Sequence, residues 1–388
     1  MRYSRFKDPW FAKRTWAEIS KSALINNWNV IRSYISDDHV RVAAVVKANA
    51  YGHCADLVAP ILEDAGCSFF FVATIDEAIF LRQNGIRSDI LIFGTTKEAH
   101  TEYLKRYKLT QSIVTLQEIE GFAKASAKVG GPPLQVHMKL DTGMTRLGLL
   151  ADPKHRERAV EALLNIAAQP SLKLTGVYSH LACADSDPKY NQMQRERFIM
   201  TVAEARRRGL PPVTMHLGAS SAIPNQPDYH FDMVRPGIVL YGGRASTTTE
   251  HGWEGLRPVM TVKSVIEQVG AIEAGTRVSY GGTWTTPRDS VLAVVNMGYG
   301  DGLSRLLSNK GSFLHKGRVC PIRGRVCMDR CIIDVTGLDD VHVGDEVMLF
   351  GEDEYARRDA SELADLYGTI DYEMFCNIQE RVPRMLVE

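Results

Sequence analysis

A lysine directly after a buried strand is the residue of this chain with the clearest capacity for chemistry. Lys47 follows VAAVV at 42–46, a run typical of a strand buried on both faces. Burial disfavours the charged ammonium, so a lysine that projects from such a strand into a poorly hydrated site has a lowered pKa. Its amine could then act as a nucleophile or a base. The residues KANAYGH that begin at Lys47 add small side chains, an aromatic ring and a histidine.

Other polar residues also directly follow predicted strands. Asp141 and Arg146 follow one such run, His180 follows the next, and Ser220 and Arg235 follow two later ones. A buried guanidinium is always charged, so Arg235 needs an acceptor or a stacked ring, which a ligand could supply. For His180, the residues alone leave both a structural and a catalytic role open.

Backbone N–H groups and a tyrosine add to the candidate chemistry. Gly237 and Ile238 come after the last predicted strand of the first half, where barrel enzymes commonly bind phosphate. The motif VSYGGTW places Tyr280 before two glycines, which leaves its hydroxyl accessible, although a buried structural tyrosine fits the same spacing. Cys327 and Cys331 have no second Cys/His pair nearby, so we expect no metal site there.

The elements that must position these residues follow a βα pattern. From Arg41 to about Gly242, short β-branched runs alternate with longer amphipathic segments such as CADLVAPILEDAG and IDEAIFLRQNG. Eight runs are candidate strands, the number that closes a (β/α)₈ TIM-type barrel with its chemistry at the carboxyl ends of the strands. They lie at 42–46, 69–73, 90–93, 112–114, 136–140, 174–179, 213–215 and 231–234.

The final third of the chain has a different sequence pattern. After about Arg257, closely spaced strand-like runs such as VMTVKSVIEQV, SVLAVVNM, RVCPIRGRVC, CIIDV and EVMLFG are separated by Gly and Asp turns. The sequence therefore predicts an α/β chain whose barrel is followed by a second, mostly β domain. We expect a barrel at 21–256, a β-rich domain at 257–388, and an N-terminal segment at 1–20 that packs with the β-rich domain.

Composition narrows the class of partner. The 46 basic residues balance 46 acidic ones in this chain of 388, which removes the positive field that nonspecific nucleic-acid or membrane binding needs. No apolar run approaches the roughly 20 residues of a membrane span, and the first residues lack the apolar core of a secretory signal. We therefore expect a cytoplasmic protein with reduced cysteines that acts on a small molecule.

Seven motifs in order carry a resemblance to a known family. They are KANAYGH, KLDTGMTRLG, YSHLACAD, VRPGIVLYG, VSYGGTW, VCMD and IDYE…RVPR, and the resemblance around them extends from about Trp16 to the final RVPR. The chain resembles the alanine racemases, enzymes dependent on pyridoxal 5′-phosphate (PLP). The resemblance implies a homodimer with active sites shared between subunits, and interconversion of L- and D-alanine that supplies D-alanine for peptidoglycan.

The resemblance also implies roles for the catalytic residues. Lys47 would hold PLP as a Schiff base and then act as acid or base on the D-side of Cα. Tyr280, from the partner subunit, would serve the opposite face. Arg235 would contact the pyridine nitrogen of PLP, and His180 would link Arg235 toward Tyr280.

The remaining implied roles concern the substrate carboxylate and the phosphate of PLP. Arg146 and Met328 would receive the substrate carboxylate. Lys139 matches a lysine that is often carbamylated, which would turn a cation into an anion able to hold Arg146 in place. The positions around the PLP phosphate are Tyr51, Ser220, Gly237, Ile238 and Tyr372.

The chain departs from the family pattern in two places, and other activities share its motifs. Cys54 follows His53 where glycine is usual, and Ala219 lacks the amide of the usual asparagine, which puts PLP affinity in doubt. A racemase of serine or of many amino acids would share every cofactor motif, although the bulk of Tyr372 and Met328 favours alanine. A noncatalytic PLP-binding protein would lack the second domain, and a PLP-dependent decarboxylase would lack the VSYG and RVPR motifs.

Overall fold

The computed structural model of the chain describes residues 14–224, 226–245 and 252–388. Most of the predicted N-terminal segment, residues 1–13, lies outside this range. None of the helices in the described ranges is long and apolar enough to cross a lipid bilayer.

A curled parallel sheet forms the first half of the molecule. Its order is β3–β4–β5–β6–β7–β9–β10, and β8 pairs with β7. The strand β11 pairs in parallel with β2 at one edge, and the N–H of Asp232 donates to the carbonyl of Met215 at the other edge (3.0 Å). The sheet therefore closes on itself. The bounds are β1 (Thr15–Ser20), β2 (Arg41–Val42), β3 (Ala44–Val45), β4 (Phe69–Val72), β5 (Asp89–Ile92), β6 (Thr110–Ile113), β7 (Leu134–Asp141), β8 (Leu149–Leu150), β9 (Leu172–Tyr178), β10 (Thr214–His216) and β11 (Met233–Val234).

Helices connect these strands. Two of them, α4 and α6, begin with Thr-x-x-Glu capping boxes, in which threonine and glutamate satisfy the free N–H groups of the first turn. The helices are α1 (Lys21–Ser33), α2 (Lys47–Tyr51), α3 (Ala55–Asp64), α4 (Ile75–Gln83), α5 (Thr101–Arg106), α6 (Leu116–Val129), α7 (Arg156–Ala168) and α8 (Pro188–Arg207). Each of the eight runs predicted as barrel strands overlaps an observed strand.

The second half of the chain is mostly β-structure. Its elements are β12 (Met260–Ile272), β13 (Arg277–Val278), β14 (Trp284–Thr285), β15 (Ser290–Val295), β16 (Ser312–His315), β17 (Arg318–Pro321), β18 (Cys331–Asp334), β19 (Glu346–Glu352), β20 (Arg357–Arg358), α9 (Ala360–Tyr367), α10 (Asp371–Asn377) and β21 (Arg384–Val387). The long strand β12 pairs with β15 and β19, and also with β1 from the start of the chain. A TIM-type barrel followed by a mostly β domain is thus confirmed.

One predicted strand was too long. The run RVCPIRGRVC forms a strand only at Arg318–Pro321. Pro321 has no N–H to continue a ladder, and Gly324 turns the backbone into the left-handed region at φ 74°. A single bridge between Ile322 and Ile333 is the remaining pairing in this stretch.

A glycine in β9 makes room for a histidine inside the barrel. Gly176 is the register partner of His137 on β7, and both are buried. A methyl group added at Gly176 would lie 2.5 Å from Nδ1 and 2.7 Å from Nε2 of His137. The backbone of Gly176 does not need positive φ, so it is the imidazole ring that requires a residue without a side chain here.

We predict that Gly176→Ala lowers the free energy of unfolding by about 1–3 kcal/mol, the usual cost of overpacking a filled core. The matched control is Gly270→Ala in β12, where an added methyl group has nothing within 4 Å. That control should change stability by less than about 1 kcal/mol. Denaturant unfolding of both variants measures the difference, and equal effects would show that His137 does not require the glycine.

Candidate active site

A cavity of about 460 Å³ opens at the carboxyl ends of the barrel strands. Side chains from the ends of several strands meet there, as the barrel geometry requires. Most of the predicted site residues line this cavity: Lys47, Tyr51, Lys139, Arg146, His180, Ser220, Arg235, Gly237 and Tyr372.

Lys47 begins a short turn with unusual backbone geometry. The next four residues, from Ala48 to Tyr51, all have positive φ between 52° and 55°, so α2 winds with the left-handed sense. The Lys47 side chain is half-buried, and its Nζ lies 6.0 Å from the centre of the Tyr51 ring. Burial lowers the pKa of Lys47, and the nearby Arg146 lowers it further. This amine is therefore more readily available as a nucleophile or base than a surface lysine.

Arg235 is a buried cation held by acceptors on three sides. Its guanidinium donates to Nδ1 of His216 (2.9 Å) and to the carbonyl oxygens of Ser179 (2.8 Å) and Leu217 (3.0 Å). It also faces Nδ1 of His180 at 3.4 Å. A guanidinium only donates, so the ring nitrogens that face it must accept. Burial, followed by the charge of Arg235, holds the pKa of His180 and of His216 well below its usual value, and both rings are neutral.

The hydrogen-bond chain continues deeper into the barrel. Because Nδ1 of His216 accepts, its Nε2 carries the proton and donates to Nδ1 of His137 (2.9 Å). The Tyr178 ring stacks on His216, with centroids 4.9 Å apart and an angle of 6°, and its hydroxyl lies 2.8 Å from Ser112 Oγ.

Sequence reasoning missed His137, Tyr178 and His216 as site residues. A signal was available, since His137 lies two residues before Lys139 in β7, and alternate residues of a strand share a face. His216 also had such a signal, because it lies at the end of β10, where barrel enzymes place their site residues.

A second lysine lies inside the cavity. The Lys139 side chain is buried, with Nζ 5.6 Å from the centre of the Tyr178 ring. Within the described ranges, no carboxylate lies within ion-pair distance of it. Burial, followed by the charges of Arg146 and Arg235, lowers the pKa of Lys139 to about 8. About a tenth of this amine is therefore unprotonated at pH 7, far more than for an ordinary lysine.

The loop that carries Arg146 is shaped by one carboxylate. Asp141, at the end of β7, accepts from the N–H groups of Gly143, Met144, Thr145 and Arg146, at 2.9–3.1 Å. The loop therefore folds around a buried anion. It leaves the Arg146 side chain exposed at the mouth of the cavity.

The other end of the cavity is a close-packed cradle of backbone. The N–H of Gly237 donates to Ser220 Oγ (2.9 Å), and the short 3₁₀-helix Ile238–Tyr241 begins at the next residue. A side chain at Gly237 would collide with Tyr51, since its Cβ would lie 2.6 Å from the Tyr51 hydroxyl. The start of a helix presents free N–H groups, so this corner is suited to binding an anion such as phosphate. The Tyr372 ring lies beside Tyr51, with centroids 5.7 Å apart.

Two predicted site residues stand apart from the cavity within a single chain. Tyr280 opens the short 3₁₀-helix Tyr280–Gly282 of the second half, and 71% of it is exposed. Met328 is 55% exposed. Neither lines the cavity that holds Lys47.

Comparisons with known proteins agree along the whole chain. The family model for the alanine racemase N-terminal domain matches residues 19–245, and that for the C-terminal domain matches residues 259–386. Alanine racemase from Desulfosudis oleivorans is 40% identical over 375 residues, which cover 95% of this chain and 96% of the relative. Alanine racemase from Methanococcus maripaludis is 37% identical and is covered to 98%, with 95% of this chain.

Solved structures give the same result. Alanine racemase from Clostridium difficile 630 superposes with a TM-score of 0.89 at 34% identity, covering 97% of this chain and 96% of the other. Alanine racemase from Bartonella henselae with covalently bound pyridoxal phosphate gives 0.84 at 30% identity, covering 96% and 99%. The two family models match both halves of the chain in order, and the relatives share nearly its full length. The chain therefore belongs to the alanine racemase family, a family of isomerases.

Proposed function

We propose that this chain is a PLP-dependent racemase that interconverts L- and D-alanine, in the supply of D-alanine for peptidoglycan. The observation that carries the proposal is the presence in one cavity of a lysine with lowered pKa, a buried arginine and a backbone anion cradle. The names of the relatives support alanine as the substrate.

The three features match the three reactive ends of PLP. An aldehyde needs an amine that is free of its proton, which Lys47 supplies. A phosphate needs hydrogen-bond donors, and we assign it to the cradle of Ser220, Gly237 and Ile238, where a 3₁₀-helix begins, with Tyr51 and Tyr372 alongside. A pyridine nitrogen needs a donor, and Arg235 is the buried donor of this cavity. The covalently bound PLP of the Bartonella henselae structure supports the same assignment.

Each residue contributes a distinct step. When bound, PLP makes the Cα–H bond of an attached amino acid acidic by delocalising the resulting electrons. Lys47 removes or returns the proton on the D-side of Cα. Arg235 donates a hydrogen bond to the ring nitrogen and keeps its own proton, because a guanidinium is not deprotonated in proteins. By keeping its proton, Arg235 would hold the bound cofactor to a moderate electron-withdrawing strength, which would limit side reactions.

Racemisation also needs a second acid–base group on the opposite face of Cα. We assign this role to Tyr280, in the domain that we place at 257–388. Tyr280 is 71% exposed and lies outside the cavity of its own chain, so it would reach Cα only from a partner subunit. We therefore propose a homodimer in which each active site contains residues of two chains. His180 would link Arg235 toward this tyrosine.

The substrate carboxylate would bind Arg146 and Met328. Arg146 needs an anion to fix its exposed guanidinium, and Lys139 is close enough for their charges to interact. A carbamate on Lys139 would supply that anion, since reaction with carbon dioxide converts a neutral amine into a negatively charged group.

The first prediction from the proposed function concerns the two bases. We expect L-alanine to be racemised faster than L-serine, and Lys47→Ala to abolish both covalent PLP attachment and turnover. In Tyr280→Phe, racemisation should fall by about 10²–10⁴. In deuterated water, this variant should still exchange the Cα hydrogen of D-alanine, because Lys47 remains, but not that of L-alanine.

Chiral chromatography and mass spectrometry check these outcomes. Turnover of serine but not alanine would overturn the substrate assignment. Turnover with PLP still bound covalently to Lys47→Ala would overturn the role of Lys47, and loss of carbon dioxide from substrate would indicate a decarboxylase.

The second prediction tests the shared site. Lys47→Ala and Tyr280→Phe homodimers should each be nearly inactive. A hybrid of the two variants should regain activity, because one of its sites combines an intact Lys47 with an intact Tyr280 from the partner. Co-expression with two affinity tags isolates the hybrid. If each site were built from one chain, the hybrid would stay as inactive as its parents.

The third prediction concerns Lys139. The pKa of about 8 implies that the carbamylated fraction rises as pH increases toward 8 and as bicarbonate is added. With isotopically labelled bicarbonate, NMR should show one carbamate resonance that is absent in Lys139→Ala. Lys316→Ala is the control, since the pairing of Lys316 with Asp340 raises the pKa of that amine. A resonance that survives in Lys139→Ala would place the carbamate elsewhere.

A further inference from the structure

We propose that Glu77 is a positioning residue for Lys47, acting through a hydrogen bond to the backbone of the turn that Lys47 begins. Glu77 lies on α4, in a different βα unit of the barrel from Lys47. The inference rests on the proposed role of Lys47 and goes beyond it, since Glu77 does not line the cavity that holds Lys47 Nζ.

The turn needs an external attachment because its conformation is unfavourable. Ala48, Asn49, Ala50 and Tyr51 all adopt the left-handed region, which crowds the Cβ of every residue except glycine. Such a segment persists only where surrounding contacts fix it. A turn that relaxed would move the Cα of Lys47, and with it the direction of the side chain.

Glu77 supplies an attachment at the first residue of the turn. Its Oε1 accepts from the N–H of Ala48 at 2.7 Å. Its Oε2 accepts from the N–H groups of Ala73 (2.7 Å) and Thr74 (3.2 Å), at the end of β4 and the cap of α4. One carboxylate therefore joins the Lys47 turn to the neighbouring βα loop.

A second attachment holds the far end of the turn. Nε of Arg384, in the last strand, donates to the carbonyl of Gly52 at 2.8 Å. A side chain at Gly52 would collide with the carbonyl of Phe375 on α10. The turn is thus held at its end by the second half of the chain, and at its start by Glu77.

Charge gives Glu77 a separate influence on Lys47. Burial and then Arg146 lower the pKa of Lys47, whereas the carboxylate of Glu77 and the thiol of Cys376 on α10 raise it. Loss of the negative charge therefore lowers the pKa of Lys47 further. Where Lys47 must be unprotonated to act as a base, the acidic limb of the pH–rate profile would move to lower pH.

The chain contains a matched control for the capping function of Glu77. Glu118 occupies the same position in the capping box of α6, where its Oε2 accepts from the N–H groups of Val114 (2.7 Å) and Thr115 (3.0 Å). Thr74 and Thr115 cap their helices at the same 3.3 Å. Glu118 makes no hydrogen bond to the Lys47 turn. The two glutamates therefore differ in the contact with the N–H of Ala48.

The experiment compares Glu77→Gln with Glu118→Gln in the PLP-loaded enzyme. An amide has one accepting oxygen in place of two. The cap uses only Oε2 in both glutamates, so each variant can keep its cap and the melting temperatures should change little and similarly. Glu77→Gln, however, leaves the N–H of Ala48 without its acceptor. Only Glu77→Gln should lower kcat for alanine, by roughly tenfold, with KM changed less than about twofold. It should also shift the acidic limb to lower pH and weaken the visible absorption of lysine-bound PLP.

Several outcomes would overturn the inference. Equal kcat, pH profile and absorption in the two variants would show that Glu77 only caps α4. If Glu77→Gln does not fold, Glu77→Asp carries the test, because it keeps the charge but shortens the reach to Ala48. It should lower kcat without moving the acidic limb, and a normal kcat would refute the positioning role. Failure of the proposed function is distinguishable, since the unaltered enzyme would then not racemise alanine, or PLP would stay bound covalently in Lys47→Ala.

Discussion

The burial of one permanent cation constrains the centre of this molecule. Arg235 cannot release its proton, so every direction around its guanidinium needs an acceptor. Two backbone carbonyls and a ring nitrogen of His216 meet most of that need. This requirement fixes which nitrogen of His216 is protonated. The protonated nitrogen of His216 fixes the orientation of the His137 ring, and that ring leaves no room for a side chain at Gly176. In our proposal, a ligand with a basic ring nitrogen would complete the set.

The cavity around Arg235 accumulates positive charge. Lys47, Lys139 and Arg146 face the same space, and burial, followed by repulsion from Arg146, lowers the pKa of both lysines. Such a site favours ligands that bring negative charge, such as the phosphate of a cofactor and the carboxylate of an amino acid. It also keeps amines reactive near neutral pH. Binding and chemistry thus have the same electrostatic origin.

Sequence patterns could locate the strands and the residues at their ends, because burial and βα alternation leave a clear signal at each strand. They could not show how deep inside the barrel a side chain lies. His137 and His216 were therefore not predicted as site residues, although they support Arg235. The left-handed turn after Lys47 was also not predictable, because alanine and tyrosine rarely adopt positive φ and a single asparagine among them is a weak sign of it. The Thr-x-x-Glu spacing predicts that Glu77 caps α4. It gives no sign of the hydrogen bond to Ala48, because that contact joins loops from different βα units. For Tyr280 the spacing allowed both an accessible and a buried side chain, and the structure decides for the exposed one.

The pairing of β1 has a consequence for biosynthesis. β1 is synthesised before the barrel strands, yet its partners β12 and β21 follow the entire barrel. Arg384, which holds the end of the Lys47 turn, belongs to β21. A nascent chain can therefore form most of its barrel, but β1 keeps unpaired edges, and the Lys47 turn lacks its contact with Arg384, until β12 and β21 have been made. Termination before β12 would yield a barrel that carries an unpaired strand, a substrate for chaperones and proteases rather than a partial enzyme.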